Sequence, residues 1–127
     1  MARDNVILDY TTSDSTDSVQ ILQTPSVKTI NPANGIAIEN AFKCKDNTFT
    51  IVVNNTASGA QTITFKKGVY QNAILGDLAI SVAGASTAVL KIENPSRFEQ
   101  ADGGLLMDFS SGFAGSLYAF GKKSGLA

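Results

Sequence analysis

The 127-residue sequence contains no histidine and no tryptophan, and its single cysteine is Cys44. Without histidine, neither a Ser-His-Asp nor a Cys-His catalytic centre can be assembled within the chain, and a His-ligated zinc site is equally out of reach. One cysteine makes no internal disulfide and no CxxC pair, so the disulfide-scaffold class is excluded, and a reducing compartment is compatible with it. Long apolar runs are also missing. The opening MARDNVILDY lacks the apolar core of a signal peptide, and no later stretch approaches the ~18 apolar residues of a membrane span. A soluble chain that is not exported and has no membrane partner is expected. Ten basic residues against eleven acidic give a net charge of −1, with no basic stripe suited to phosphate backbones, so no nucleic-acid partner is expected either.

What remains is an ordinary globular balance, 43% apolar and 17% charged. A chain of this length suggests one domain that buries roughly two thirds of its unfolded surface without staples. Charge is unevenly placed. Residues 1–24 hold one basic residue, Arg3, against Asp4, Asp9, Asp14 and Asp17, a net of −3, whereas the rest has nine basic against seven acidic, a net of +2. Between Asp9 and Ser18 there is one aromatic and no aliphatic residue. Such a stretch buries too little apolar surface to offset its ordering entropy, so residues 1–24 read as an N-terminal arm, partly flexible, ahead of a body over 25–127. The apolar patches beside it, Val6 to Leu8 and Val19 to Leu22, are each suited to add a strand to the body or to a neighbouring subunit.

From Pro25 onward the period is two. Phe49, Ile51 and Val53 share one face; Ile63 and Phe65 alternate with threonines; Leu78, Ile80 and Val82, then Ala88, Leu90 and Ile92, then Leu105, Met107 and Phe109 repeat the pattern. Leu117 or Tyr118, with Phe120, closes the series. Alternation rich in Thr, Val, Ile and Phe marks half-buried strands. The breaks carry turn residues, among them Asn54 to Gly59, Gly76-Asp77, Ala83 to Ala85, Asn94-Pro95 and Asp102 to Gly104. The pattern predicts an all-β, antiparallel β-sandwich, Ig-like or jelly-roll-like. In NGIAIENAFKCK, Ile36 and Ile38 alternate while Ile38 and Phe42 stand four apart, so a short strand and a single helical turn both fit.

Candidate chemistry is thin, and no catalytic, cofactor or metal residue is assigned. Asp102 and Asp108, with Glu93 and Glu99 upstream, are the one carboxylate grouping that resembles a general acid–base pair, which needs two carboxyls at a fixed separation in a concave site. Asp102 lies in a turn-forming ADGG and Asp108 alternates outward, so turn and surface roles are the simpler account. Asp14 to Asp17 offers oxygen ligands without a calcium-loop frame or a closing glutamate. Asn54-Asn55-Thr56 matches a glycosylation acceptor, a chance match in a chain that is not exported. Lys66-Lys67 and Lys122-Lys123 are basic pairs at strand ends. Tyr70, Phe113 and Tyr118 are candidates for a carbohydrate-stacking platform, against which stands the core role usual for aromatics in alternating runs. Cys44 lies between Lys43 and Lys45, neighbours that favour thiolate, but it lacks a redox partner and reads as a packing residue.

The stretches TIVVNNTASGAQTITFKKGVY and DLAISVAGASTAVLKIENPSRFEQADGGLLMDFSSGFAGSLYAF resemble a family of small structural proteins of tailed bacteriophages, the auxiliary head (decoration or cement) proteins encoded near the major capsid protein. The resemblance spans roughly residues 34–120. It implies a non-enzymatic virion component with no cofactor, assembled in the host cytoplasm and docked on the outer surface of the head. Its partners would be the major capsid protein and further copies of itself, a trimer being favoured. A tail or fibre-base module and a glycan-binding β-sandwich are the alternatives, because fold alone does not select function.

Overall fold

The computed structural model describes residues 3–13, 20–22, 25–43 and 49–122. It is a β-sandwich of two sheets with almost no helix. The strands are β1 (Asp4–Ile7), β2 (Asp9–Ser13), β3 (Gln20–Ile21), β4 (Lys28–Thr29), β5 (Ile36–Glu39), β6 (Phe49–Asn55), β7 (Gln61–Phe65), β8 (Leu78–Val82), β9 (Ser86–Lys91), β10 (Leu105–Phe109) and β11 (Gly115–Lys122). One sheet runs β1-β5-β10-β7-β8; the other runs β3-β2-β11-β6-β9, with β4 also paired to β11. A short helix, α1 (Pro95–Phe98), and 3-10 segments at Ala41–Lys43 and Gln71–Leu75 complete the described elements.

Alternation builds the core as expected in the central strands. Phe49, Ile51 and Val53 of β6, Ile63 and Phe65 of β7, and Leu105, Met107 and Phe109 of β10 are all buried. Edge-to-face contacts lock the layers: Phe42 with Phe49, and Phe109 with Phe113, each at 5.2 Å between ring centres. The segment around Ile36 satisfies both of its sequence patterns in turn, a strand with Ile36 and Ile38 buried, followed by the 3-10 turn that buries Ala41 and Phe42.

Three expectations change. The sheets are mixed, not purely antiparallel, because β1 runs parallel to β5 and β2 runs parallel to β11. The expected arm is, over its described residues, part of the body: β1 pairs in one sheet, β2 in the other, and the chain switches sheets at Leu8, whose side chain is buried together with Val6. Parallel partners supply the hydrogen bonds that the polar local composition does not announce. Residues 14–19 of that arm lie outside the described residues. In β11 the core face is Leu117, Ala119 and Gly121, so Tyr118 and Phe120 point outward. The two rings stack on each other outside at 6.3 Å.

Candidate functional site

The carboxylates take structural roles. Gly104 N–H donates to Asp102 Oδ1 at 2.9 Å, closing a side-chain turn before β10. Asp108 accepts from the Arg3 guanidinium, which also donates to the Met107 carbonyl at 2.7 Å, so this pair latches the start of β1 onto β10. Lys66 Nζ donates to Asp77 Oδ2 at 2.7 Å and stands 3.8 Å from Asp108. The hydrogen bond from Lys66 holds the Asp77 carboxyl below the usual range, helped by the Lys67 N–H; the same bond raises the Lys66 ammonium. Among the described residues there is no cluster of three or more His, Cys, Asp or Glu placed to hold a metal ion, and no helix is long and apolar enough to cross a membrane. Asp14 to Asp17 and Cys44 lie outside the described residues.

The aromatic trio is not one surface. Phe113 is in the core against Phe109, Tyr118 is on the outer face of its sheet, and Tyr70 stands exposed ahead of the 3-10 segment Gln71–Leu75. Of the basic pairs, Lys66 is tied to Asp77 and Lys67 is exposed, its backbone N–H donated to Asp77 at 2.7 Å. In the glycosylation match the acceptor position, Asn54, is exposed, whereas the middle residue, Asn55, is fully buried and binds backbone: its Nδ2 donates to the carbonyls of Val82, Ala83 and Gly59, and its Oδ1 accepts from Ala57 N–H. It fastens the end of β6 to the end of β8 across the two sheets.

Two surfaces stand out instead. The first is the outer face of the β11-β6-β9 sheet. Nine of its outward positions are Thr50, Val52 and Asn54, Thr87, Val89 and Lys91, and Ser116, Tyr118 and Phe120; Lys91 is the one charge among these nine. A soluble surface usually carries a charge at roughly every third or fourth position. Val89, Val52 and Tyr118 lie in register across three strands, and Val27 joins Val52 and Tyr118 around a depression of about 300 Å³ edged by Asn54, Thr87 and Ser116. Alternation predicted Tyr118 as one option for the core; with Leu117 taking that place, the outer face gains an aromatic stack.

The second is a cleft of about 360 Å³ where β8 and β9 diverge below their connecting turn. Phe65, Ile80, Leu90, Ile92 and Phe98 line it, with Arg97 and Asn94 among its polar residues. Arg97 donates from Nε to the Gly76 carbonyl at 2.9 Å, and from Nη2 to Asp77 at 3.1 Å and Leu75 at 3.3 Å. Asn72 donates to Asn94 Oδ1 and Ser96 Oγ. The segment 71–77 is thus pinned to α1 from beneath, and its apolar side chains Ile74 and Leu75 are turned outward. Neither Arg97 nor this segment was expected from sequence. The available signal was the apolar pair in VYQNAIL, where a connection between strands would ordinarily be polar.

No family model, curated protein or solved structure matches the chain.

Proposed function

We propose that the chain is a non-enzymatic structural protein of a tailed-phage virion, a decoration protein that lies on the outer surface of the head and braces its shell. The observation that carries this reading is the near-neutral outer face of the β11-β6-β9 sheet, with Val27, Val52, Val89 and Tyr118 across it. A weakly charged sheet face that carries an aromatic has the make-up of a protein contact: charge is depleted and tyrosine enriched where interfaces are buried. The major capsid protein is the partner in this reading. The carboxylates that an acid–base mechanism would need are engaged in a turn and an ion pair, which supports a role without catalysis.

The test is co-sedimentation with shells assembled from the major capsid protein of the phage that carries this chain's gene. Saturable binding at a fixed ratio to shell subunits, weakened at least tenfold by Val89→Lys and Tyr118→Asp, supports the reading. Absence of binding at any ratio overturns it. A second reading rests on the stacked Tyr118 and Phe120 beside Asn54, Thr87 and Ser116, since aromatic faces next to amides and hydroxyls suit a glycan. Saturable binding of a defined oligosaccharide, with no shell binding, would favour that reading instead.

A further inference from the structure

Edge strands expose unpaired N–H and C=O groups, and folded proteins usually blunt them with lysine, proline, bulges or a covering element. β8 is an edge of its sheet, and among the described residues no strand pairs with its outer side. Its sequence, Leu78–Val82, reads LAISV and holds no charge and no proline. The residues leading into it are unusual for a surface. Ile74 is 90% exposed, and Val69, Tyr70, Leu75 and Leu78 are between 38% and 58% exposed. Arg97 and Asn72 hold that segment rigidly on α1, so the apolar side chains are presented in fixed positions and not swept through solvent.

We infer that β8 is a self-association edge, pairing antiparallel with β8 of a second copy about a two-fold axis and burying the apolar segment 69–78 of both. A second copy is the fitting occupant for two reasons. A strand laid antiparallel against its own copy is related to it by a two-fold, so the contact is isologous and closes at a dimer. The five apolar residues together expose on the order of 500 Å² per chain, the upper range for a monomer's largest patch. Pairing would bury about 1,000 Å² from them alone, and the backbone edge and cleft rim bring the total to the ~1,200 Å² at which specific interfaces begin. The outer face assigned to the shell lies on the other sheet and reaches the cleft only at Val89 and Lys91, so variants placed away from those two residues test the dimer separately from that function.

The experiment is the solution mass of the full chain by sedimentation equilibrium, up to roughly 100 μM, where contacts of this size associate. Twice the chain mass is expected. Ala79→Lys with Ser81→Lys puts like charges opposite each other across the axis at exposed positions, and should weaken dimerisation at least tenfold. Ile74→Lys with Leu75→Lys, also exposed, should do the same by removing the apolar contact. Tyr118→Asp, on the outer face of the other sheet and away from the cleft, should leave the dimer intact. Far-UV circular dichroism confirms that each variant is folded, and amide exchange offers a check without mutation: protection along β8 should rise with protein concentration. A monomer throughout, a mass three times that of the chain, or a dimer that survives both double variants would overturn the inference.

Discussion

Gly115 sits so close to Asn54 that a Cβ on the glycine would lie 1.8 Å from the Asn54 carbonyl oxygen. The glycine also has φ +133, a conformation that L side chains rarely adopt. Here β11 starts its long ladder with β6, Gly115 opposite Asn55, and the Gly115 carbonyl accepts from Ile30 N–H at 2.9 Å. Gly115→Ala therefore meets a backbone clash and a strained dihedral together. A loss of about 3 kcal/mol or more is expected, read as a fall in the denaturant midpoint; a loss under about 1 kcal/mol would show that the two strands can separate locally.

Asn55 makes a second demand on the same corner. Replacing it with alanine leaves the Val82 and Ala83 carbonyls and the Ala57 N–H without their side-chain partner, in a place where the side chain is fully buried. Each unsatisfied buried group costs about 1–3 kcal/mol, so Asn55→Ala should destabilise by about 3 kcal/mol. Asn55→Leu, similar in volume, should cost no less. If Asn55→Leu matched the wild type in thermal unfolding, the hydrogen bonds would be shown to contribute nothing net.

Leu8 tests the N-terminal strands. An arm outside the body would tolerate Leu8→Ala, whereas a buried leucine at the crossing between sheets should cost about 2–4 kcal/mol. Deleting residues 1–13 should lower stability further by removing β1 and β2. A truncated chain with an unchanged unfolding midpoint would return this segment to the role of an appendage.

How much of this was legible beforehand follows from where the partners lie. β6, β7 and β10 announce themselves because each alternates apolar and polar residues over five or more positions, and burial on one face is all that alternation reports. The patch Val6 to Leu8 marked β1 as able to join the body, but β2, with Asp9 and threonines, is a strand because β11 offers a parallel edge far away in sequence, and no local composition encodes that or names either partner. In β11 the larger residues Tyr118 and Phe120 compete with Leu117 for the inner face, and small Ala119 and Gly121 decide the matter only once the opposing layer is known. The Asp102 turn was readable from ADGG. The tie between Arg3 and Asp108 was not, since nothing in either neighbourhood names the other.

The Lys66–Asp77 bond predicts a pH profile. Asp77 is lowered by its bonds from Lys66 and the Lys67 N–H, so its contribution is present above the unfolded aspartate value, near 3.9, and is lost as pH falls through the lower folded one. Lys66 is raised by the same bond, so its contribution is present below the unfolded lysine value, near 10.4, and is lost as pH rises through the higher folded one. Asp77→Asn should therefore lower the unfolding midpoint slightly at about pH 7 and match the wild type at about pH 2. The pair is exposed, so the gap should be small and should shrink in salt. An equal deficit at both pH values would show that the variant loses something other than the Asp77 charge.

The crossing at Leu8 also sets a clock. During synthesis β2 leaves the ribosome among the first strands, but its parallel partner β11 is the last of the described strands to be made. Until Gly115 to Lys122 emerges, the β3-β2 hairpin has no place in its sheet, and β6 lacks the neighbour that separates it from β2. Contacts between such distant segments pay the largest loop-closure entropy and slow folding. The fold is thus expected to close only once β11 is available to β2, and a nascent chain stalled before residue 115 should remain open to protease along its N-terminal strands.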